Sequence, residues 1–304
     1  MTGTAFVHEA LLYRDADEYV RGVSRFVADG LAADEPVLVA VPGTQLDLLR
    51  AALPSRVRFL DMAQVGRNPG RIIPAVLYPF AEEHGGARVR IIGEPIWPGR
   101  TDREYPGCVQ HEALINVVFG ERQVYILCPY DVAGLSGAAV ADAALTHPVL
   151  AAGEDRRGSE GYMAPHTVFA AFNRPLNDPG VGSDALVFDR HGLAGVRQFV
   201  ASHAGRCGLG RDRLAELQVA VNEVATNAVT HSSGPGSLRV WREPDRIVCE
   251  VVSPGELTDR LAGRVPPPFD SESGRGLVMV NYLCDLVQVH TYSAQTTIRL
   301  HVCL

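Results

Sequence analysis

The sequence contains no lysine: all 28 of its basic residues are arginine. That absence excludes several chemistries. A Walker A loop needs a lysine on its phosphates, a eukaryotic-type protein kinase needs a strand lysine, and a Schiff-base enzyme needs an amine nucleophile. Long apolar runs are also missing. No stretch reaches the roughly 18 consecutive apolar residues of a membrane helix, and Met1–Ala10 lacks the basic start and apolar run of a signal peptide. These absences predict a cytoplasmic protein with no membrane partner. There is no basic excess: the formal net charge is −7. Leu186–Leu304 carries twelve acidic residues and twelve arginines, so the negative charge belongs to the first 185 residues. Nothing resembles the basic footprint of a nucleic-acid binder. The six cysteines show no C-x-x-C spacing and mostly fall inside apolar runs, which predicts buried free thiols rather than disulfides or zinc ligands.

The 304 residues suggest two domains. In the first half, apolar runs at His8–Tyr13, Val37–Val41, Val57–Asp61, Arg88–Gly93 and Val124–Cys128 read as strands. Asp17–Asp29, Thr44–Leu53, Gly70–His84 and Val109–Phe119 read as the helices between them. This alternation predicts βαβ units and an α/β domain with a mostly parallel sheet. Gly153–Gly182 is punctuated by glycine, proline and charge and reads as a linker or loosely packed crossing segment. The expected division is a first domain over 1–155, a linker over 156–183 and a second domain over 184–304. In the second domain a strand, Ala185–Asp189, precedes helices at Leu193–Arg206 and Arg211–His231. Strands follow at Ser237–Arg242 and Arg246–Val252, then a Pro- and Gly-rich stretch over Ser253–Gly276. A short helix, Leu277–Cys284, and strands at Leu286–Tyr292 and Thr297–Val302 finish the chain, the last two joined as a hairpin across Ser293–Thr296. The expectation is an α+β sandwich with helices on one side of a mixed sheet.

The chemistry of the second domain concentrates in the helix carrying Glu223, Asn227 and His231. Four-residue spacing puts Glu223 and Asn227 on one helical face, where both interrupt an otherwise apolar sequence. The Asn227 side-chain oxygen is a hard ligand suited to Mg²⁺, and Glu223 can polarise an attacking hydroxyl or water. His231 reads equally as a helix C-terminal residue or a group beside a ligand. Downstream, Ser273-Gly274-Arg275-Gly276 precedes a helix. Exposed backbone N–H groups at a helix start form an anion site, although a simple helix-initiating turn has the same pattern.

Taken together, these residues resemble the GHKL superfamily of ATP-binding domains (gyrase, histidine kinase and related ATPases). Within it they look most like the anti-sigma-factor serine kinases, because the domain is compact and lacks a phospho-accepting histidine helix. The resemblance covers about 120 residues. It implies ATP and Mg²⁺ as cofactors, Glu223 as base and Asn227 as Mg²⁺ ligand. It also implies that Asn227, His231, Ser253, Gly255, Gly274, Arg275, Gly276, Thr296 and Thr297 surround the nucleotide. Two positions depart from the family pattern. Ser253 stands where the family has an aspartate for the adenine amino group, and Gln295 stands where it has a glycine before Thr296 and Thr297. Losing the charge-assisted bond at Ser253 costs roughly 1.5–3 kcal/mol.

In the first half, Gly93-Glu94-Pro95-Ile96-Trp97, Glu112-x-x-x-Asn116, Cys128-Pro129-Tyr130-Asp131 and His147-Pro148 follow one another. In an open parallel sheet, ligands bind outside the carboxyl ends of the strands. Glu94, Trp97, Glu112, Asn116, Tyr130 and Asp131 are therefore candidates to converge on a sensed small molecule, against the alternative that each is a loop cap or turn residue. These motifs, over about Val7–Leu150, resemble the MEDS family of sensory domains. The combined resemblance implies a signal-responsive regulator whose partner is a sigma factor or an anti-anti-sigma protein. Kinases of this type commonly pair, which extends the expectation to a homodimer. Two alternatives stay open: a docking module of the same fold that no longer holds ATP, and a small-molecule enzyme centred on the first domain.

Overall fold

A computed structural model describes residues 6–178, 182–267 and 274–304. The chain divides into two compact units, Met1–Phe172 and Asn173–Leu304.

The first unit begins with strand β1 (Phe6–Tyr13), helix α1 (Ala16–Ala32), β2 (Val37–Val41), α2 (Gly43–Ala52) and β3 (Arg58–Asp61). Short helices α3 (Met62–Val65) and α4 (Pro69–Ile72) follow, then a π-helical turn at Ile73–Leu77 and α5 (Tyr78–Glu83). The expected single helix over Gly70–His84 is therefore broken into segments. Pro74 and Pro79 lack the N–H that a regular helix would use there. Next come β4 (Val89–Gly93), α6 (Tyr105–Val118), β5 (Val124–Asp131), α7 (Gly137–Thr146), β6 (Val149–Ala152), β7 (Asp155–Gly158) and α8 (Pro165–Ala171). The sheet order is β3-β2-β4-β5-β1-β6-β7. All neighbours are parallel except the β6–β7 pair. All five residues of β2 are buried, as in a strand covered on both faces.

The stretch expected as a linker contains β7 and α8, and both lie in the first unit. Its glycines and charges mark the tight β6–β7 connection at Gly153, whose φ is +61°. In α8, Val168 is buried, and Phe172 follows it into the core.

The second unit is built from β8 (Asp184–Phe188), α9 (Leu193–Arg206), α10 (Arg211–Thr230), β9 (Gly236–Glu243), β10 (Arg246–Pro254), α11 (Arg275–Leu283), β11 (Leu286–Tyr292) and β12 (Gln295–Cys303). Its sheet runs β11-β12-β10-β9-β8. Every pairing is antiparallel, so the expected mixed sheet is corrected to an antiparallel one. The two-residue turn at Ser293 and Ala294, both with positive φ, brings β11 directly back as β12. Leu217, Ala220, Val221, Val224, Ala225 and Ala228 of α10 recur at helical spacing and are buried against the sheet.

On β10, Glu250 is buried between Arg239 of β9 and Arg299 of β12. The segment ahead of β8 is tied to the same strands: Asn177 O accepts from Arg299 and Asp178 accepts from Arg239. Asn173 bonds the Thr291 backbone.

Candidate functional site

In the second unit a cavity of about 630 Å³ lies between α10, α11, the ends of β10 and β12, and the loop after β10. Val224, Val251, Leu277 and Ile298 supply apolar walls. Asn227, Ser253 and Thr296 supply polar ones, and Gly255, Gly274 and Gly276 supply backbone. His231 lines the rim. Its backbone N–H bonds Asn227 O, ending α10.

Glu223 is not in the wall. Its carboxylate stands directly behind Gly276: a Cβ there would lie 2.8 Å from Glu223 Oε2 and 3.7 Å from Asn227 Nδ2. Gly276 is thus the residue that lets the start of α11 approach the acidic face of α10. Gly274 precedes α11 with φ +89°, a left-handed conformation that favours glycine. Gly274 itself has no side chain with which to cap the helix, and the helix start faces the cavity through the backbone of Gly274 and Gly276. Arg275 is exposed at that helix start and is absent from the wall. Ser273 lies outside the described residues.

Thr296 is buried and its hydroxyl is committed. Oγ1 donates to Gly255 O (2.8 Å) and accepts from Leu257 N (3.0 Å). It fastens the loop after β10 to the end of the sheet, where Gly255, with φ +100°, turns the chain. Thr297, one residue on, belongs to the other face and pairs with Val252 and His290. Gln295 is exposed at the strand start and forms no part of the cavity wall. Asn281 and Gly263 were not singled out from the sequence. Asn281 Nδ2 donates to Gly263 O (3.0 Å), pinning the loop over the cavity, and Gly263 holds φ +74°. The signal available was a glycine inside a Pro- and Gly-rich stretch.

In the first unit the six candidate residues divide between two faces of one sheet, because successive strand residues alternate. Glu94, fully buried, follows β4. It accepts from Tyr19 Oη (3.1 Å) and Tyr13 Oη (3.4 Å). Burial pushes its carboxyl up to about 8, with the nearby Asp131 adding to the rise. Asp131 itself accepts from the N–H groups of Ala133 and Gly134, which makes it a turn cap. Trp97 is stacked under the Arg100 guanidinium, 3.9 Å from its ring centre.

On the opposite face, Glu112 and Asn116 of α6 meet His8 of β1, Cys128 and Tyr130 of β5, and His147 beyond α7. His8 Nε2 lies 3.1 Å from Glu112 Oε2, and Cys128 Sγ lies 3.4 Å from both. His147 Nε2 lies 3.6 Å from Glu112 Oε2. The Tyr130 ring packs edge-on against His147, 5.5 Å between centroids. Burial raises the Glu112, Cys128 and Tyr130 pKa values and lowers both imidazoles to about 3. The sequence-based candidates include Glu112, Asn116 and Tyr130. His8 gave no signal, because a lone histidine in an apolar strand has no diagnostic spacing. All six cysteines of the chain are free.

Comparison with known proteins matches residues 7–148 to the MEthanogen/methylotroph, DcmR Sensory domain (MEDS) and residues 188–302 to the histidine kinase-like ATPase domain. The chain is 30% identical over 115 residues to the serine-protein kinase RsbW of Bacillus subtilis (strain 168), covering 33% of this chain and 72% of that protein. A further match is the crystal structure of the RsbU and RsbW domains of Rv1364c from Mycobacterium tuberculosis, with a TM-score of 0.32 and 16% identity. That match covers 40% of this chain, which spans about a third (32%) of that structure's length. Among the described residues no helix is long and apolar enough to cross a membrane. The chain joins a MEDS sensory domain to a histidine kinase-like ATPase domain, and through the latter it belongs to the RsbW-like family of anti-sigma-factor kinase-like ATPases.

Proposed function

We propose that this protein is a cytoplasmic partner-switching regulator of transcription. In this reading the second unit binds Mg-ATP and a sigma factor or anti-anti-sigma protein, and the first unit responds to a small-molecule signal. The observation that carries the reading is the placement of Asn227 in the wall of the cavity, with Glu223 immediately behind Gly276 at the start of α11. The residues present fit the nucleotide. The cavity volume of about 630 Å³ falls within the roughly 300–1,000 Å³ of ligand sites, and a carboxamide oxygen is a hard donor for Mg²⁺. Bound Mg-ATP supplies the phosphoryl group to be transferred.

With Mg-ATP bound, Asn227 would hold the metal, the α11 N-terminus would face the phosphates, and Glu223 would accept the proton of a partner serine hydroxyl. Ser253 leaves the adenine end without a carboxylate. It favours a second reading, in which the same fold docks partners without nucleotide. The test is phosphate transfer from labelled ATP to candidate anti-anti-sigma proteins, together with capture of sigma factors on the purified chain. The expected result is serine labelling that disappears in Glu223→Ala, with a sigma factor co-purifying. Sigma capture without labelling would select the docking reading, and neither would overturn both.

A further inference from the structure

The first unit brings Glu112, one of the candidates for the sensed molecule, together with three side chains that neither the sensory reading nor the ATPase reading uses. His8, Glu112, Cys128 and His147 are all buried, and one potential ligand atom from each lies within 4.8 Å of the others. We propose that these four residues form a zinc-class metal site, with His8 Nε2, His147 Nε2, a Glu112 carboxylate oxygen and Cys128 Sγ as its ligands.

Geometry is the first support. Zinc bonds of about 2.0–2.3 Å in a tetrahedron require ligand atoms about 3.3–3.6 Å apart. The four ligand–ligand distances His8–Glu112, Cys128–His8, Cys128–Glu112 and His147–Glu112 are 3.1, 3.4, 3.4 and 3.6 Å. The remaining two, from His147 to His8 and to Cys128, lie within 4.8 Å, so drawing the His147 ring inward completes a tetrahedron.

The second support is the orientation of the imidazoles. The Nδ2 of Asn116 donates to Thr146 O (2.8 Å), which turns its Oδ1 toward His8 Nδ1 at 3.2 Å. Since Oδ1 only accepts, Nδ1 carries the proton and Nε2 presents a lone pair to the cluster. His147 Nδ1 lies 2.9 Å from the Ala143 carbonyl, which likewise only accepts. Its Nε2 is therefore also bare, and it has no hydrogen-bond partner although fully buried. Glu112 Oε1 is unpartnered as well. Metal-bound histidines have this arrangement, the remote N–H held by a carbonyl and the near nitrogen free.

Charge is the third. A thiolate and a carboxylate carry −2, which a divalent cation neutralises. Two nitrogens, an oxygen and a sulfur suit a borderline-soft ion, and four protein ligands close the site, as in structural zinc centres. Loading releases to solvent the protons held on the Cys128 thiol and the Glu112 carboxyl and ties together β1, α6, β5 and the end of α7.

The test is titration of the full chain, stripped of metal under reducing conditions, with Co²⁺ and then Zn²⁺. The expected result is one equivalent of Co²⁺ giving visible bands of a tetrahedral centre and a sulfur-to-metal charge-transfer band, all displaced by Zn²⁺. Cys128→Ser removes the charge-transfer band, whereas the control Cys303→Ser keeps it. Asn116→Ala, which frees the His8 ring, weakens binding by about 10–100-fold. Glu112→Gln, which preserves shape, serves if Cys128→Ser does not fold and is expected to weaken Co²⁺ binding. Failure of the folded natural protein to bind either metal at micromolar concentration would overturn the proposal. So would a charge-transfer band that survives in Cys128→Ser, or unaltered Co²⁺ affinity in folded Glu112→Gln.

Discussion

Single side chains set the chemistry of both units, and Glu94 shows how. Its carboxyl is fully buried and receives two tyrosine hydroxyls, yet burial outweighs those bonds and holds the pKa near 8. A carboxyl raised in the folded state stabilises the fold fully below its unfolded value of about 4.5. That contribution is lost as pH rises through about 8. The stability of the natural protein therefore falls across this window. Glu94→Gln, which stays neutral, flattens the fall, and urea unfolding at pH 5, 6.5 and 8 reads the difference. A slope unchanged by the substitution would show that Glu94 ionises normally in the fold. The sequence marked Glu94 through its place after a strand. It gave no sign of Tyr13 and Tyr19, because an aromatic at a strand end or on a helix face ordinarily reads as core.

At the scale of elements, antiparallel pairing puts Glu250 directly opposite Arg239 and Arg299. Both guanidiniums bond its carboxylate, and Arg299 also stacks on Trp241. Glu250→Ala leaves the buried Arg299 without its anion and Arg239 with only Asp178, and removing one partner of a buried ion pair costs about 3–5 kcal/mol. The expected result is a lowered thermal midpoint with far-UV circular dichroism still native at 20 °C, and an unchanged midpoint would contradict the bridge. Most elements were legible in the sequence because their apolar residues recur at two- or 3.6-residue spacing. α10 is the clearest case, its buried face running from Leu217 to Ala228. α7 was not legible, since its Ala-rich sequence shows little contrast between faces. Nor was β7, whose four residues Asp155–Gly158 include no apolar side chain, nor α8, which is only seven residues long and opens on Pro165, His166 and Thr167. The break in the helix after Asn68 was visible only as prolines, whose effect on a helix depends on the packing around them.

At the scale of the whole molecule, the two units differ in how much of their site the sequence revealed. In the second unit the cavity is assembled mainly from residues near each other in sequence order: one helix, one loop, one helix start and one strand pair. Helical spacing marked Asn227, and the family resemblance supplied Ser253, Gly255 and Thr296; all line the cavity with Gly276, and the structure adds Gly263 and Asn281 as the fastening of the loop. In the first unit, the cluster around Glu112 draws on positions 8, 112, 128 and 147. A parallel sheet brings such distant positions together by crossover connections, and no local spacing records the result. The same sheet sends Tyr130 and Asp131 to opposite faces, so residues adjacent in sequence serve different clusters.

Calorimetric titration with Mg-ATP and Mg-ADP decides whether the cavity between α10 and α11 is the Mg-nucleotide site proposed for it. The natural protein is compared with Asn227→Ala and Ser253→Asp. The account predicts binding by the natural protein, its loss in Asn227→Ala, and a gain of about 10–150-fold in Ser253→Asp from a charge-assisted bond worth roughly 1.5–3 kcal/mol. Absence of binding in both the natural protein and folded Ser253→Asp, or full affinity retained in Asn227→Ala, would contradict it.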